Sequence, residues 1–324
     1  MKHLHNPRPE DAPQATERIS GIRLRTKTGK QEWVKNRYLL EEEIGKGGMS
    51  EIRKAHDERT GKDVALKIML PQWKAQHSTF LYCLKEALIL DEIRVPGVVK
   101  LLDYGTDKDR PFIVMERLSG KTLFDLKTDD ELTDRDVVEI GFTVASIMAE
   151  IHRMGVVHRD LKPENIMAWK DGDIWFVRIL DFGLAKADIF SDHNKGMLGT
   201  PHFMAPEQTE SANVDQRADI YSLGAILYEL FSGRTLFTSD NPYRELPVHE
   251  VIQLHKEREP EPLSRHRPDL DIRISNLVRR ALKREPSQRL QSMDEIRDVL
   301  GRYLIATDRE LDKGSESKTE LKAG

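Results

Sequence analysis

Cysteine is nearly absent from this chain: Cys83 is the single one among 324 residues. A disulfide framework is thereby excluded, and a reducing compartment is the natural setting. Long apolar runs are lacking too. The richest window, Ile140 to Met148, is broken by Gly141, Thr143 and Ser146, far short of the roughly 18 uninterrupted apolar residues that a membrane span needs. The opening MKHLHNPRPED has no apolar stretch of the kind a secretory signal requires, so a cytoplasmic protein without a membrane span is expected. Net charge is small, with 51 Lys and Arg against 55 Asp and Glu, which argues against a general nucleic-acid binder with its large cationic surface. What remains is a chain 38% apolar, long enough for two domains or one enzyme built from two lobes.

The charge is unevenly placed. Residues 1–37 carry Lys or Arg at 2, 8, 18, 23, 25, 27, 30, 35 and 37 against acids at 10, 11, 17 and 32, a net +5 that leaves −9 for the rest. Such a segment buries too little apolar surface to offset its chain entropy, so a basic, flexible arm is expected there, ordered at most near Trp33 and able to dock an acidic partner. At the other end residues 305–324 mix Lys, Glu, Ser and Gly without periodicity, as in a flexible charged tail. The folded part is expected over 38–304.

Its first third reads as strands. Tyr38, Leu40 and Ile44 alternate with polar neighbours, and Val64 to Leu70 is an apolar run interrupted only by Lys67. A charge inside such a strand is costly unless the strand is an edge or an anion lies opposite. A helix should begin near Ser78, bringing Phe80, Cys83, Ala87 and Leu90 to one face and offering Glu86 as that anion. Thr133 with Asp136 forms a capping-box pattern ahead of a helix bearing Val137, Ile140, Val144, Ile147, Met148 and Ile151. Asp171-Gly172 signals a hairpin within 166–179, and another helix runs from about Ala218 through Leu230, stopping at Gly233.

Ile44-Gly45-Lys46-Gly47-Gly48-Met49-Ser50-Glu51-Ile52 follows the first of these strands. Glycines at such a turn let backbone N–H groups close on phosphate oxygens. A strand and not a helix comes next, which excludes the dinucleotide fingerprint, and no P-loop lysine stands in frame. Further along come Val64-Ala65-Leu66-Lys67, then His158-Arg159-Asp160-Leu161-Lys162-Pro163-Glu164-Asn165, then Asp181-Phe182-Gly183, and then Ala205-Pro206-Glu207.

In this order and spacing the set resembles the protein-kinase signature over about 38–304, and among kinases the bacterial eukaryotic-like serine/threonine kinases. The resemblance implies an α+β, bilobal fold: a small mainly β N-lobe with one helix over 38–116, a hinge at 116–118, and a larger mainly α C-lobe over 119–304. It also implies an ATP-dependent enzyme using Mg²⁺, or Mn²⁺, that phosphorylates serine and threonine of protein substrates, including itself. Ile44, Gly45, Lys46, Gly47, Gly48, Met49 and Ser50 would cover the phosphates, with Ser50 standing where a third glycine is common. Ile52, Ala65 and Met167 would enclose the adenine, with Met115 as gatekeeper and Glu116 to Leu118 as hinge. Lys67 would bind the α- and β-phosphates and Glu86 would hold Lys67. Asp181 and Asn165 would hold metal, Asp160 would align the substrate hydroxyl, Lys162 would neutralise the moving phosphoryl, and Thr200 would steady both.

By the same resemblance His158 and Phe182 join Leu90 and Leu101 in a hydrophobic spine anchored by Asp219, and Glu207 pairs with Arg289. Arg159 and Lys186 would form a basic pocket for a phosphorylated segment residue. The position four before Thr200 is Gly196, which leaves Ser191 as the candidate phosphoacceptor, with Asp192 as a possible stand-in. A pseudokinase scaffold would be expected to have lost Lys67, Asp160 or Asp181. A small-molecule phosphotransferase would usually lack the Gly199-Thr200-Pro201 to Ala205-Pro206-Glu207 segment.

Overall fold

The computed structural model describes residues 31–73, 77–129, 132–182, 201–209, 214–238 and 246–320. The chain divides into two compact units, Met1–Ser119 and Gly120–Gly324, a boundary just beyond the expected hinge.

The first unit is an antiparallel sheet. Its strands are β1 (Trp33–Val34), β2 (Tyr38–Lys46), β3 (Ser50–Asp57), β4 (Lys62–Met69), β5 (Leu101–Asp107) and β6 (Arg110–Glu116), in spatial order β1-β2-β3-β4-β6-β5. Helix α1 (His77–Glu92) packs on β5 and β6. Alternation decides which residues go inside: Val64, Leu66 and Ile68 join Tyr38, Leu40, Ala55, Phe112 and Val114 in one buried cluster, while Ala65 and Lys67 take the other face. Strand β2 is buried over a shorter stretch than the alternation implies, since Ile44 is exposed.

Residues 33–37, expected within the basic arm, are held against the sheet. Trp33 pairs with Leu39 and Val34 with Tyr38, and Arg37 is clamped to Asp57 at 2.7 Å and Asp103 at 2.8 Å. Trp33 and Val34 find a strand partner, and two carboxylates immobilise Arg37, so these positions belong to the sheet. Residues 1–30 lie outside the described residues.

The second unit is mainly helical. It opens with β7 (Lys121–Thr122), α2 (Leu123–Thr128) and α3 (Asp134–Arg153), the helices entered through capping boxes at Thr122/Asp125 and Thr133/Asp136. Strands β8 (Ile166–Asp171) and β9 (Ile174–Ile179) form the expected hairpin, with Gly172 at φ 58°, and β7 pairs with β8. Helix α4 (Arg217–Ser232) is buried along nearly its whole length and stops at Gly233 in the left-handed region, φ 69°. Around it lie α5 (Val248–Glu257), α6 (Leu263–His266), α7 (Ile272–Ala281) and α8 (Met293–Glu320). At Gly224 a Cβ would lie 2.7 Å from that of Ala281, so the closeness of α4 to α7 requires glycine.

The tail expected from 305 onward is instead helix to Glu320. Met293, Ile296 and Leu300 are fully buried, so the first turns are fixed by packing and each following residue adds only a hydrogen bond to an existing helix.

Candidate active site

In the first unit the glycine-bearing turn joins β2 to β3, with Gly45 opposite Ile52 and Lys46 opposite Glu51. The Gly47 N–H donates to the Ser50 carbonyl at 2.7 Å, and the Trp73 indole donates to the Gly48 carbonyl at 3.2 Å. Gly48, Met49 and Ser50 thus sit in a hairpin whose flank is fixed at Glu51, which accepts from Arg110 at 3.0 Å.

Lys67 resolves the anomaly of a charge in an apolar strand. Its strand is not an edge, being paired to β3 on one side and β6 on the other. Its Nζ lies 2.7 Å from Glu86 Oε1 on α1, with the two side chains 14% and 3% exposed. Lys67 is opposite Ile52 on β3, and Ala65 is opposite Met115 on β6, so two residues named for adenine contact, the gatekeeper and the lysine share neighbouring rungs. Beyond the buried Met115, Glu116 is tied to Lys100: its N–H donates to the Lys100 carbonyl, and its Oε1 accepts from the Lys100 N–H, each at 3.0 Å. Leu118 follows, half-buried. Cys83, on the same helix as Glu86, is buried, and burial foremost, with the Glu86 charge, pushes its thiol up to about 12, so it is no reactive thiolate.

In the second unit one carboxylate organises the loop at 158–165. Asp219, fully buried on α4, accepts from the backbone N–H of His158 at 2.8 Å through Oδ2 and of Arg159 at 2.8 Å through Oδ1. Burial opposes its charge, but the hydrogen bond from His152 Nε2 at 2.8 Å and the backbone donors outweigh it and hold the carboxyl below its ordinary range. This anchoring keeps Arg159 at φ 65°, a strained value for a residue with a side chain.

His158 is wholly buried, and burial lowers its pKa. The neutral ring fits its contacts: Nε2 donates to the Leu180 carbonyl at 2.9 Å while Nδ1 accepts the Asp160 N–H at 3.3 Å. Phe182 packs against it with ring centroids 4.8 Å apart. Asn165 Nδ2 donates to the Asp160 backbone carbonyl at 2.8 Å and to Asp160 Oδ2 at 3.1 Å, and Lys162 Nζ lies 3.6 Å from the same carboxylate oxygen. The Leu180 N–H donates to the Asn165 carbonyl at 2.8 Å, which brings Asp181 beside this loop, at φ 36° in the left-handed region. Asp160, Lys162, Asn165 and Asp181 are therefore brought together, and Met167 follows on β8.

Two positioning residues escaped the sequence reading. His152 supplies the third hydrogen bond to Asp219. Gln208 donates through Nε2 to the Arg159 carbonyl at 2.8 Å and accepts from the Ala205 N–H at 3.0 Å, latching this loop to the Ala205-Pro206-Glu207 turn. An amide directly after that turn was the available signal for Gln208. Glu207 pairs with Arg289 at 2.6 and 2.7 Å, as expected, and the guanidinium also donates to the carbonyls of Arg217, Lys283 and Arg284. Gly183, Lys186, Ser191, Asp192, Gly196, Gly199 and Thr200 lie outside the described residues. Among the described residues, Arg159 Nε is buried without a partner.

Residues 38–300 match the family described as Protein kinase domain. A probable serine/threonine-protein kinase of Clostridium perfringens is 35% identical over 264 residues, covering 81% of this chain and 37% of its own length. The serine/threonine-protein kinase PknB of Mycolicibacterium smegmatis is 33% identical over 273 residues, 82% of this chain and 42% of that protein. The chain thus spans about two fifths of the length of these curated relatives. A crystal structure of the PknI kinase domain of Mycobacterium tuberculosis superposes with a TM-score of 0.65 at 24% identity, covering 82% of this chain and 94% of the other.

Proposed function

The chain belongs to the protein kinase domain family, and on that premise we propose that it transfers the γ-phosphoryl group of ATP to serine and threonine hydroxyls of proteins, itself included. The observation that carries this reading is the loop pinned by Asp219, which holds Asp160, Lys162 and Asn165 around one carboxylate oxygen. Phosphoryl transfer has a loose transition state with dispersed negative charge, so a site needs positioning and electrostatic neutralisation more than covalent chemistry.

In this reading Asp160 accepts the hydrogen bond of the substrate hydroxyl and aims its oxygen at the phosphorus. Lys162 places positive charge where the phosphoryl group moves. Lys67, oriented by Glu86, binds the α- and β-phosphate oxygens, and the N–H groups of the 45–50 turn close over them, with Ile44 at its base. The donors fit a hard divalent ion: Asn165 has its Nδ2 committed to Asp160, which leaves Oδ1 as a neutral ligand, and Asp181 offers carboxylate oxygens. When bound, Mg²⁺ or Mn²⁺ supplies neutralisation of phosphate charge. Ile52, Ala65 and Met167 face the adenine, Met115 limits depth, and the backbone of Glu116 and Leu118 reads its edge. Thr200 steadies Asp160 and Lys162.

Control belongs to Arg159 and Lys186, which receive a phosphate on Ser191 or the Asp192 carboxylate. The basic segment before Glu32 docks an acidic partner, and the protein works in the cytoplasm on protein substrates. The catalytic domain covers 38–304, as an N-lobe over 38–116, a hinge at 116–118 and a C-lobe over 119–304.

The test is incubation of the full chain with Mg-ATP followed by phosphosite mapping, run beside Lys67→Met and Asp160→Asn. Phosphate is expected on serine and threonine of the wild type alone, with Ser191 among the sites. Incorporation by Asp160→Asn at the wild-type rate would remove Asp160 from its role.

A further inference from the structure

Glycine leaves the turn between β2 and β3 with much freedom. Gly45, Gly47 and Gly48 fall within four residues, and each can reach conformations closed to other residues. The leading strand steadies the turn little: β2 changes register against β3 between Leu40 and Glu43 and again between Glu43 and Gly45, and Ile44 is exposed. A phosphate site needs the reverse, N–H groups whose directions are set before the ligand arrives.

The trailing side is held by the segment that leaves β4. Arg110 donates through Nε to the Met69 carbonyl at 2.7 Å and through Nη2 to Glu51 at 3.0 Å. The Leu70 N–H donates to the Met49 carbonyl at 2.8 Å. Trp73 reaches furthest into the turn. It closes the short helical turn Pro71–Trp73, with its N–H donating to the Leu70 carbonyl at 3.0 Å, and its half-buried indole donates to the Gly48 carbonyl at 3.2 Å. The ring of Pro71 stiffens that turn. The indole thus meets the glycines from a backbone that Leu70 already ties to them.

Peptide planarity converts these two acceptors into directions for two donors. No peptide bond among the described residues is cis, and in a trans peptide the N–H points opposite to the C=O. With the Gly48 carbonyl held by Trp73 and the Met49 carbonyl by Leu70, the N–H groups of Met49 and Ser50 both face away from the 70–73 segment. Successive N–H groups turned to one side are the arrangement of an anion-binding concavity. The Gly47 N–H takes no part, since it donates to the Ser50 carbonyl within the turn. The pin on Met49 is backbone, whereas the pin on Gly48 is a single side chain. Once it is removed, the Gly48–Met49 peptide, with glycine on one side, is free to turn over.

We propose that Trp73 is a positioning residue for ATP: by holding the Gly48 carbonyl it presents the Met49 N–H, beside that of Ser50, to the phosphates. The inference rests on the reading of the 45–50 turn as the phosphate cover. Trp73 touches no phosphate oxygen and acts through one peptide plane. The bond also joins the cover to the stretch between β4, which carries Lys67, and α1, which carries Glu86. The N–H donors and the Lys67–Glu86 pair therefore hang from one continuous piece of chain.

The test sets a nucleotide with phosphates against a nucleoside without them, on the full chain. Adenylyl imidodiphosphate with Mg²⁺, a non-hydrolysable ATP analogue, and adenosine are each titrated by calorimetry into wild type and Trp73→Phe, which keeps an aromatic ring and loses the N–H. The variant is expected to bind the analogue about fivefold more weakly, the scale of one hydrogen bond between neutral groups, and to bind adenosine as wild type does. A general structural defect weakens both. The indole ¹H–¹⁵N signal of Trp73, assigned by its absence from the variant, gives a second reading in the wild type, and it is expected to move with the analogue and to stay with adenosine. Undiminished binding of the analogue by folded Trp73→Phe, equal weakening of both ligands, or an indole signal that adenosine moves as far as the analogue overturns the proposal. A wild type that binds the analogue no tighter than adenosine removes the reading of the turn as a phosphate cover, and the proposal with it.

Discussion

At the scale of single residues, the site depends on charges kept in apolar surroundings by a specific partner. Lys67 and Glu86 are the plainest pair, joined at 2.7 Å and mostly shielded from water. Removing one partner of such a pair is far costlier than replacing both, because the survivor keeps its desolvation cost and loses its compensation. Lys67→Met is therefore expected to abolish phosphoryl transfer and also to lower stability by about 3 kcal/mol, read from urea unfolding at neutral pH. The double variant Lys67→Met/Glu86→Leu should recover most of that stability and none of the activity. A double variant no more stable than Lys67→Met would show that the pair does not carry the effect. Asp160→Asn belongs to the same scale with a different signature. Its amide still meets Asn165 and Lys162 poorly but touches no adenine, so kcat should fall by orders of magnitude while KM for ATP changes little.

At the scale of elements, α4 is the frame on which the second unit's chemistry hangs. Through Asp219 it positions the loop at 158–165 and through Ser222, whose hydroxyl donates to the Phe203 carbonyl at 2.8 Å, the turn at 201–203. Through Tyr221 it reaches α5, the hydroxyl lying 2.8 Å from His255 Nδ1. Burial, with the nearby His202 charge, lowers His255 from 6.5 to about 3. Above pH 6.5 neither folded nor unfolded chain holds that proton. Below it the unfolded chain binds a proton that the folded chain refuses until about pH 3, so stability falls as pH drops through this window. His255→Gln keeps an acceptor for Tyr221 and removes the titration. Its stability should decline less steeply than wild type between pH 6 and 4, by up to about 1.4 kcal/mol per pH unit. Parallel pH profiles would remove His255 from the acid response.

These same elements show what a sequence can display. The capping box at Thr133/Asp136, the Gly172 hairpin and the stop at Gly233 were legible because each is local chemistry among residues a few positions apart. The motifs naming Lys67, Asp160, Asn165 and Asp181 were legible as an ordered set. The third bond to Asp219 was not: His152 lies 67 positions away and looks like any histidine near a helix end. Gln208 met the Arg159 carbonyl across 49 positions, with nothing in either neighbourhood to pair them.

At the scale of the whole molecule the question is where the folded body ends, and composition misled there for a physical reason. Residues 305–309 bury no side chain, yet with 310–320 they extend a helix whose first turns are already paid for in packing. Met293, Ile296 and Leu300 are fully buried, and Gly301 lies so close to Phe142 that a Cβ would stand 3.1 Å from its ring. Further along, Ile305 is exposed, and Asp308 is tied to Arg135 at 2.7 Å with both side chains well solvated. Exposed pairs of this kind contribute at most about 1 kcal/mol, whereas each buried aliphatic side chain contributes about 1.5–3 kcal/mol. Two truncations should therefore part sharply. Ending the chain after Thr307 should leave the melting curve and the proteolytic pattern of the second unit nearly unchanged. Ending it after Ser292 removes three core side chains, a loss comparable to the whole stability of an ordinary domain, about 5–15 kcal/mol. That form should lose the cooperative transition of the second unit and be digested through α3 and α4. A cooperative melt in the shorter form would show that α8 is an appendage to this core instead of part of it.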